Sequence, residues 1–532
     1  MKPTDDIFHR ILLLIAIASI TSHFSDAQIS TEWRKEFPDN HFNENIHGGT
    51  PTMIRSHDDM VLLLSEKEIE NEKNIEIIKI DDEGNIIWKF SYLENNHSIE
   101  KVNCIGLDPY GDIIVGGSIK SLNNNSHSQP LLFKVNSNGS FLWEYILPIA
   151  DQSDGYINDL SIDIRHNIYA TGKYHNADKK TIVTKLYPGG QHVWTVFNEA
   201  EEGLAIKVID DETIFMVGKS DKDDHELYER FHYDLDGQQL LYWPTANYYE
   251  QLNGKPVFDQ FGYLYQYSTF GFRLHKRNQI GYHMWSYGDS EQAQNGGSIG
   301  AVAFDDKMNT YICGSETVFK GNHTDNDMFI LKIDRIGNVV WKYVLEEETT
   351  LETANSIYLD AQGNIYASGE STDLNGIFFD GIIVSVAANG TEQWRYKFDT
   401  DIGQQNVAFN IIKANGNVYV TELIKHSRRS TNKHLGLLKL SQLTGINEQQ
   451  DLSDQVKLFP NPTYGELNIQ LPGHMAGQLQ YDVTDQSGKT IISGSQLLQD
   501  HQLTIQTDID PGLYIITIQT NDVIARSKFS VR

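Results

Sequence analysis

Apolar and polar positions along this chain fall into a sentence that repeats. Its clearest instance runs from Asp327 to Tyr343, DMFILKIDRIGNVVWKY: an apolar run, a polar D-x-x-G-N turn closed by Gly337, and a second apolar run ending on Trp341. Short runs rich in Ile, Val and Phe on either side of Asp, Gly and Asn predict a β-hairpin, because those turn residues suit chain reversal. Aligning the closing Gly with the Trp four residues on gives Gly84/Trp88, Gly139/Trp143, Gly190/Trp194, Gly281/Trp285, Gly337/Trp341 and Gly390/Trp394. Gly237 fits too, with Leu241 at the Trp position and Trp243 just beyond. Successive glycines, Gly237 included, are 55, 51, 47, 44, 56 and 53 residues apart. A period of this size in a strand-rich chain signals a propeller.

A second sentence alternates with the first. YLDAQGNIYASG (Tyr358 to Gly369) is its clearest form, and GLDPYGDIIVGG, SIDIRHNIYATG, VIDDETIFMVG, VFDQFGYLYQY, AFDDKMNTYICG and IIKANGNVYVT repeat it, with an earlier version starting at Met53. Each period therefore carries four strands, A and B around this turn and C and D around the other. There are eight A–B pairs, and eight C strands if HLGLLKLSQLTG (His434 to Gly445) is counted. That last C strand is followed by INEQQDLSD, which has no Trp. The missing D strand is found at the other end of the chain, where Trp33 stands 55 residues before Trp88, in phase with the repeat. The predicted fold is all-β: an eight-bladed β-propeller over residues 28–446, closed by the N-terminal strand so that no sheet edge is left open. Seven blades with irregular ends is the alternative.

In such a blade the A–B and C–D turns share one face, and the B–C and D–A loops share the other. The first set is short throughout. The second is long and varied: SLNNNSHSQP, SDKDDHELYE, SETVFKGNHTDND, IADQSDGYIN and EEETTLETAN. Varied loops on a rigid scaffold are where binding residues sit, so the ligand is expected there. That face is acidic, with Glu346, Glu347, Glu348 and Glu352 in one loop and Asp221, Asp223, Asp224 and Glu226 in another.

Composition narrows the partners. With 532 residues the chain is expected to hold two or more domains, and a net charge of −29 argues against nucleic acid and anionic membranes, which need clustered Lys and Arg. Residues 1–27 read as a secretory signal peptide: Lys2 and Arg10, an apolar core Ile11 to Ile20, and a small-x-small site ending at Ala27. The apolar core is too short to cross a bilayer and no later stretch comes close, so no transmembrane segment is expected. No Cys follows the cleavage site, which argues against a lipid anchor. Cys104 and Cys313 lie inside apolar strands of different repeats and read as buried free thiols.

The candidate chemistry is sparse. Aromatic faces bind sugars, but Trp33, Trp88, Trp143, Trp194, Trp285, Trp341 and Trp394 share one repeat position, which points to packing between neighbouring blades. Asp108, Asp163, Asp259, Asp305 and Asp360 look like a carboxylate ring, and side-chain bonding to their own turns is the better account. Ser220 to Asp224 and Thr324 to Asp327 alternate oxygen ligands in a way that suits calcium, the one cofactor the chain leaves open. Neither has the Gly and acidic positions of an EF-hand loop, so solvated acidic loops are the preferred reading. Gly296 to Gly300 matches G-x-S-x-G but precedes an A strand rather than a helix. No HExxH, CxxC pair, phosphate loop or dinucleotide fingerprint is present. Carboxylates from separate blades remain open as a glycoside-hydrolysing pair.

After Ile446 the repeat stops, residues 447–455 read as a linker, and short strands between Pro/Gly turns predict a small seven-stranded-type β-sandwich over 456–532. This segment resembles the type A C-terminal sorting domain of the bacterial type IX secretion system. The matching residues are Leu458 to Thr463 (with Pro460, Asn461 and Pro462), Gly465, the Asp485 to Lys489 turn with Gly488, Pro511 to Tyr514 (with Gly512), and Lys528 to Val531. The resemblance implies Sec export to the periplasm, transfer across the outer membrane by the type IX machinery, and release or attachment at the cell surface. The N-terminal repeats are similar to secreted β-propeller repeat families and to quinoprotein repeats. They lack the quinoprotein Thr before Gly everywhere except Thr444, and no vicinal cysteine pair is present. The expected function is a secreted or cell-surface binding protein for an extracellular protein or glycan. The alternatives are a polysaccharide-acting enzyme and, further off, a quinone-dependent dehydrogenase.

Overall fold

A computed structural model describes residues 29–41, 53–69, 72–92, 97–121, 127–148, 154–175, 180–209, 211–222, 225–244, 254–269, 272–288, 296–320, 323–347, 350–373, 379–398, 405–425, 434–442, 450–451, 456–471, 478–485, 489–497, 502–519 and 523–532. Among these residues all regular structure is β, with no helix. The chain divides into two compact units, one spanning Ile29–Ser441 and one containing Gln442–Arg532.

In the first unit, six consecutive repeats each form their own four-stranded antiparallel sheet in the order A-B-C-D. Repeat 2 is His97–Leu107, Ile113–Ser121, Ser128–Val135 and Phe141–Ile146; repeat 3 is Asp154–Ile162, Ile168–His175, Lys180–Leu186 and His192–Asn198. Repeat 4 is Glu202–Ile209, Thr213–Lys222, His225–Asp234 and Gln239–Pro244; repeat 5 is Val257–Phe258, Leu264–Tyr267, Leu274–Arg277 and His283–Tyr287. Repeat 6 is Gly297–Phe304, Thr310–Lys320, His323–Ile333 and Val339–Leu345; repeat 7 is Thr350–Leu359, Ile365–Asp373, Phe379–Val386 and Glu392–Lys397. The remaining strands share one sheet, in the order Gln405–Ala414, Asn417–Lys425, His434–Gln442, Ile29–His41, Val61–Ile69, Glu72–Ile80, Ile86–Tyr92, with Met53–Arg55 on Val61–Ile69. The N-terminal strand thus lies beside the last C strand as its D strand (repeat 8). Its far end also pairs with repeat 1, Asn40 opposite Lys67 and His41 opposite Glu66.

Neighbouring repeats are joined by one recurring contact. The D-strand Trp lies against the C–D turn of the following repeat and donates its indole N–H to a carbonyl there. Trp33 donates to Asp82, Trp88 to Ser137, Trp143 to Pro188, Trp194 to Leu235, Trp285 to Arg335 and Trp341 to Ala388, at 2.9–3.3 Å. Each acceptor is two residues before the closing Gly, and a Cβ on that Gly would strike the ring: at Gly139 it would come within 2.6 Å of Trp88. Gly139 also holds φ +83°, a conformation costly to any side chain, so Gly is required there twice over. Trp394 is buried with its ring 6.0 Å from Tyr366, and the turn that would follow it lies outside the described residues.

Beneath the Trp runs a second layer. Tyr169, Tyr265, Tyr311 and Tyr366 on B strands donate their hydroxyls to the turn carboxylates of Asp163, Asp259, Asp305 and Asp360 at 3.1–3.2 Å. The same carboxylates accept the turn's own N–H groups at 2.8–3.0 Å, as in Asp163 from Arg165 and Asn167. In repeats 3, 5 and 6 the C-strand lysine opposite the Trp lies over this Tyr, with Lys185, Lys276 and Lys332 at 5.0–5.2 Å from the ring centres. Where the Tyr position holds Leu62 or Ile114, the lysine reaches a carboxylate directly, Lys79 to Asp58 at 2.6 Å and Lys134 to Asp108 at 2.7 Å. The ammonium thus has a favourable partner in either arrangement, a ring face in one and a carboxylate in the other.

The A strands share a further irregularity. In repeats 2, 3, 4, 6 and 7 a β-bulge at the same phase leaves Asn103, Asn158, Leu204, Gly300 or Asn355 unpaired, and repeat 2 has a second bulge at Glu100. Bulging swings the preceding carbonyl toward the B strand, which meets it with a glycine. A Cβ at Gly172 would lie 1.9 Å from the Tyr156 oxygen, and Gly117, Gly314 and Gly369 are equally confined, at 1.8–2.0 Å. The bulged asparagines tie one A strand to the next: Asn103 to the Ile157 carbonyl at 2.8 Å, Asn158 to Gly203 at 2.8 Å and Asn355 to Ala408 at 3.5 Å.

Two expectations need correction. SDKDDHELYE and SETVFKGNHTDND are not long loops but prolonged hairpins. Lys222 pairs with His225 and Lys320 with His323, so only two residues separate the strands in each. Alternation along a strand sends neighbouring side chains to opposite faces. Asp325 and Asp327 are accordingly buried on one face, while Asn326 on the other accepts from Thr317 at 2.8 Å. Residues 447–455 are also not wholly a linker, since Gln450–Asp451 pairs in parallel with Val523 and Ile524.

In the second unit a five-stranded sheet, Gln450–Asp451, Val523–Val531, Gly512–Gln519, Gln478–Thr484 and Thr490–Leu497, packs with a three-stranded one, Lys457–Phe459, Glu466–Gln470 and Gln502–Gln506. Their shared core includes Leu467, Ile469, Leu503 and Ile505 against Leu479, Val483, Ile516, Ile518 and Phe529.

The Trp contact makes a graded prediction at Trp285, which is 7% exposed. Trp285→Phe should keep the packing and lose one hydrogen bond, about 1 kcal/mol. Trp285→Ala should lower stability by about 3–5 kcal/mol. Urea unfolding of the two variants beside the wild type measures both.

Candidate functional site

The described residues bring together one polar cluster on the A-strand side of repeats 2 to 5. The Tyr156 hydroxyl donates to Glu202 Oε1 at 2.9 Å, and Asn158 Nδ2 donates to the same oxygen at 2.8 Å. Asn103 reaches Asn158 Oδ1 at 3.3 Å. Lys255, just before the short A strand of repeat 5, reaches past repeat 4 to the Asn158 carbonyl and Asp159 Oδ1, both at 3.3 Å. Asp159 Oδ2 accepts the Ile206 N–H at 2.9 Å, and Lys101 Nζ lies 4.6 Å from the centre of the Tyr156 ring. The bulges generate this convergence, because each turns one extra A-strand side chain toward its neighbour. Lys255 and Asp159 keep a quarter of their side-chain surface, 25% and 24%. The cluster gathers two carboxylates, two ammonium groups, two amides and a phenol, with Lys255 and Asp159 open to solvent. Burial, and then Glu202, push the Tyr156 phenol well above its ordinary pKa, so it stays a donor.

Carboxylates with raised pKa values are found elsewhere and apart. Burial raises Glu352, Glu370 and Glu422. Glu352 pairs across the sheet with Ser371 and Glu370 with Thr353, so their side chains leave opposite faces. Glu422 is held by Arg34 through both oxygens, at 2.6 and 2.9 Å. Of the acidic loops, Glu346 is exposed and Glu347 pairs with Arg395 at 2.8 Å. Glu348, Asp223 and Asp224, and the side chains of Asp221 and Glu226, lie outside the described residues. Among the described residues no three His, Cys, Asp or Glu side chains group as metal ligands. Ser298 of the G-x-S-x-G match bonds Ser315 at 2.9 Å within a strand. Cys104 and Cys313 are buried free thiols, and burial pushes Cys313 up to about 12.

In the second unit the Pro460–Asn461–Pro462 run is stitched to the terminal strand. Asn461 Oδ1 accepts the Ser530 N–H at 3.0 Å and its Nδ2 donates to the Lys528 carbonyl at 3.2 Å. Thr463 exchanges backbone bonds with Ser530 and Arg532 at 2.8 and 3.0 Å. Gly512 opens the adjacent strand, and Tyr514 donates its hydroxyl to the Asp510 carbonyl at 2.8 Å. Ala27 and Gly488 lie outside the described residues. The motif residues thus hold the last strand in place.

The polar cluster was missed in the sequence reading because its members come from four repeats. The Asn at equal phase in VNCIGL, INDLSI and ANSIYL was the available signal.

No curated protein matches the chain. Among solved structures it is similar to a protein of unknown function from Dyadobacter fermentans, at 10% identity and TM-score 0.31, over 78% of this chain and 99% of that one. It is also similar to the β-propeller domain of the Trilobed protease from Pyrococcus furiosus, at 9% identity and TM-score 0.36, over 66% and 97%. A third is the acylaminoacyl peptidase of Pyrococcus horikoshii, at 11% identity and TM-score 0.34, over 74% and 58%. The C-terminal unit carries the firmer match: residues 457–532 fit the family model of the secretion system C-terminal sorting domain, which marks the chain as a secreted or cell-surface protein.

Proposed function

We propose that residues 29–441 form an eight-bladed β-propeller closed by the N-terminal strand, and that this exported protein binds an extracellular protein or glycan through the polar cluster on its inner strands. The carrying observation is the convergence of Lys101, Tyr156, Asn158, Asp159, Glu202 and Lys255 from four repeats onto one partly exposed patch. Mixed charge beside an aromatic ring suits a hydroxyl- or amide-rich ligand. The sorting unit supplies passage through the type IX machinery.

Closure is supported by the contacts of the N-terminal strand. Arg34 grips Glu422, Lys439 bonds Glu32 at 2.9 Å, Ser441 also bonds Glu32, and Lys35 reaches the Gly84 carbonyl at 2.7 Å. Asp82 of repeat 1 collects Tyr419, Lys439 and Asn417 of repeat 8 at 2.5, 3.0 and 3.0 Å. Burial would raise the Asp82 pKa, but those three donors outweigh it and hold the group below the usual range. Hydrogen bonds from Ser441 and Lys439 lower Glu32 likewise.

Lowered folded-state pKa values mean stability that is present above the unfolded values and lost as pH falls through the folded ones. Acidification below about pH 4 should therefore lower the protection of residues 29–41, read by hydrogen exchange, through Asp82 and Glu32 and not through Glu422, whose pKa burial raises. Protection of that strand unchanged by acid would contradict the closure. Glycan arrays and labelled surface proteins should identify a ligand of the signal-cleaved chain, and Glu202→Gln with Lys255→Met should weaken its capture about tenfold. Undiminished capture in that double variant would remove the cluster from consideration. Removal of residues 457–532 should leave the protein inside the producing cell, measured by fractionation.

A further inference from the structure

The seam between repeats 4 and 5 differs from the others in chemistry. Its apolar core is Val217, Tyr228 and Leu264, three buried residues, where the seam between repeats 5 and 6 has ten. Polar groups take the remaining space: Arg230 and His232 from repeat 4, and Gln266, His275 and Arg277 from repeat 5, all at most 7% exposed. The sequence explains part of this. Leu241 stands where other repeats have the stapling Trp, and Trp243 is displaced along the strand. The ring of Trp243 still lies over Gly281, where a Cβ would come within 3.2 Å of it, and the turn backbone is bonded by His232, to Gln279, and by Arg230 Nη1, which donates to the Asn278 carbonyl at 3.3 Å.

That single bond uses one corner of the Arg230 guanidinium. Its Nε and Nη2 are buried and have no hydrogen-bond partner among the described residues, and no described carboxylate pairs with it. The residue is 3% exposed. Arg230 cannot relieve this by losing its proton: burial and the nearby Arg277 push its pKa down, but only to about 9, still charged at neutral pH. Nε and Nη2 form the edge of the guanidinium that takes two oxygens side by side. The protein uses this edge twice elsewhere. Arg34 holds Glu422 by Nε and Nη2 at 2.6 and 2.9 Å, and Arg395 holds Glu392 at 2.7 and 3.0 Å. The corresponding positions in repeats 1, 2, 3, 6 and 8 are Ile77, Leu132, Val183, Ile330 and Leu437, so an arginine here replaces a core aliphatic.

We propose that the seam between repeats 4 and 5 is a binding site for an oxyanion, a carboxylate or a phosphate-type group, held by the Nε and Nη2 edge of Arg230 with Arg277 adding charge. It is separate from the polar cluster of the inner strands and does not depend on the ligand bound there.

Thermal unfolding of the full signal-cleaved chain tests this, with sodium phosphate or sodium acetate titrated against chloride at matched ionic strength. The melting temperature of the wild type should rise with phosphate, acetate or both, while chloride leaves it unchanged. Response to phosphate alone identifies a phosphate-type group, and response to acetate a carboxylate. Arg230→Leu, which restores the aliphatic of the other repeats, should abolish the rise. If that variant does not fold, Arg230→Lys keeps the charge without the fork, and should need about tenfold more anion for the same shift. A wild type indifferent to both anions, or variants that respond as the wild type does, would overturn the site.

Discussion

The seating of one indole over one glycine is the constraint on which the rest of the first unit depends. A four-stranded sheet buries little by itself, and its flat faces must be covered by the next sheet in line. The Trp on the D strand provides that cover at a fixed point, with its N–H bonded two residues ahead of a glycine that has no room for a side chain. Fixing the outer strand against the following turn also fixes the angle between sheets. Everything inward then follows: the Tyr–Asp bonds, the lysine layer and the bulged A strands can recur because each sheet meets its neighbour in the same way.

Such a device fails gracefully. In repeat 4 the Trp is shifted two residues along the strand, yet Trp243 still covers Gly281, and Arg230 and His232 bond the same turn backbone. In the same way, Lys79 and Lys134 pair directly with carboxylates where the B strand lacks a Tyr. Because each sheet contacts mainly its two neighbours, a change at one seam can be absorbed there. Repeat 5, with strands of two, four, four and five residues, shows how much one member can shrink while the order is kept.

Legibility in the sequence followed residue type. Trp is scarce, with 8 in the chain, and a turn-closing Gly four residues before it is distinctive, so their shared spacing carries the strand order and puts Trp33 in phase. The sorting motif was readable for the same reason, since Pro, Asn and Gly at fixed intervals are unlike the repeat that precedes them. The bulges were hard to read, because an unpaired residue can be Asn, Leu or Gly; the Asn shared by three A strands and the B-strand glycines such as Gly172 and Gly369 were their trace. The hairpins of repeats 4 and 6 were misjudged as loops because polar residues on a strand that extends beyond its sheet look like loop residues. The polar cluster depended on contacts between repeats, which a one-dimensional pattern does not contain.

The position of Ile29–His41 beside His434–Gln442 has a consequence for how the molecule comes into being. Its partner strand is made some four hundred residues later, among the most distant pairings the chain contains. Until that partner arrives, the earliest strand can pair only at its far end, with repeat 1, and its other edge stays open, while the intermediate sheets can form from contacts close in sequence. Pairings of such long range are slow and leave edges exposed in the interval. For an exported chain this makes assembly a matter of location as well as time: both ends must reach the same compartment, with the first still free, before the last strand can receive it.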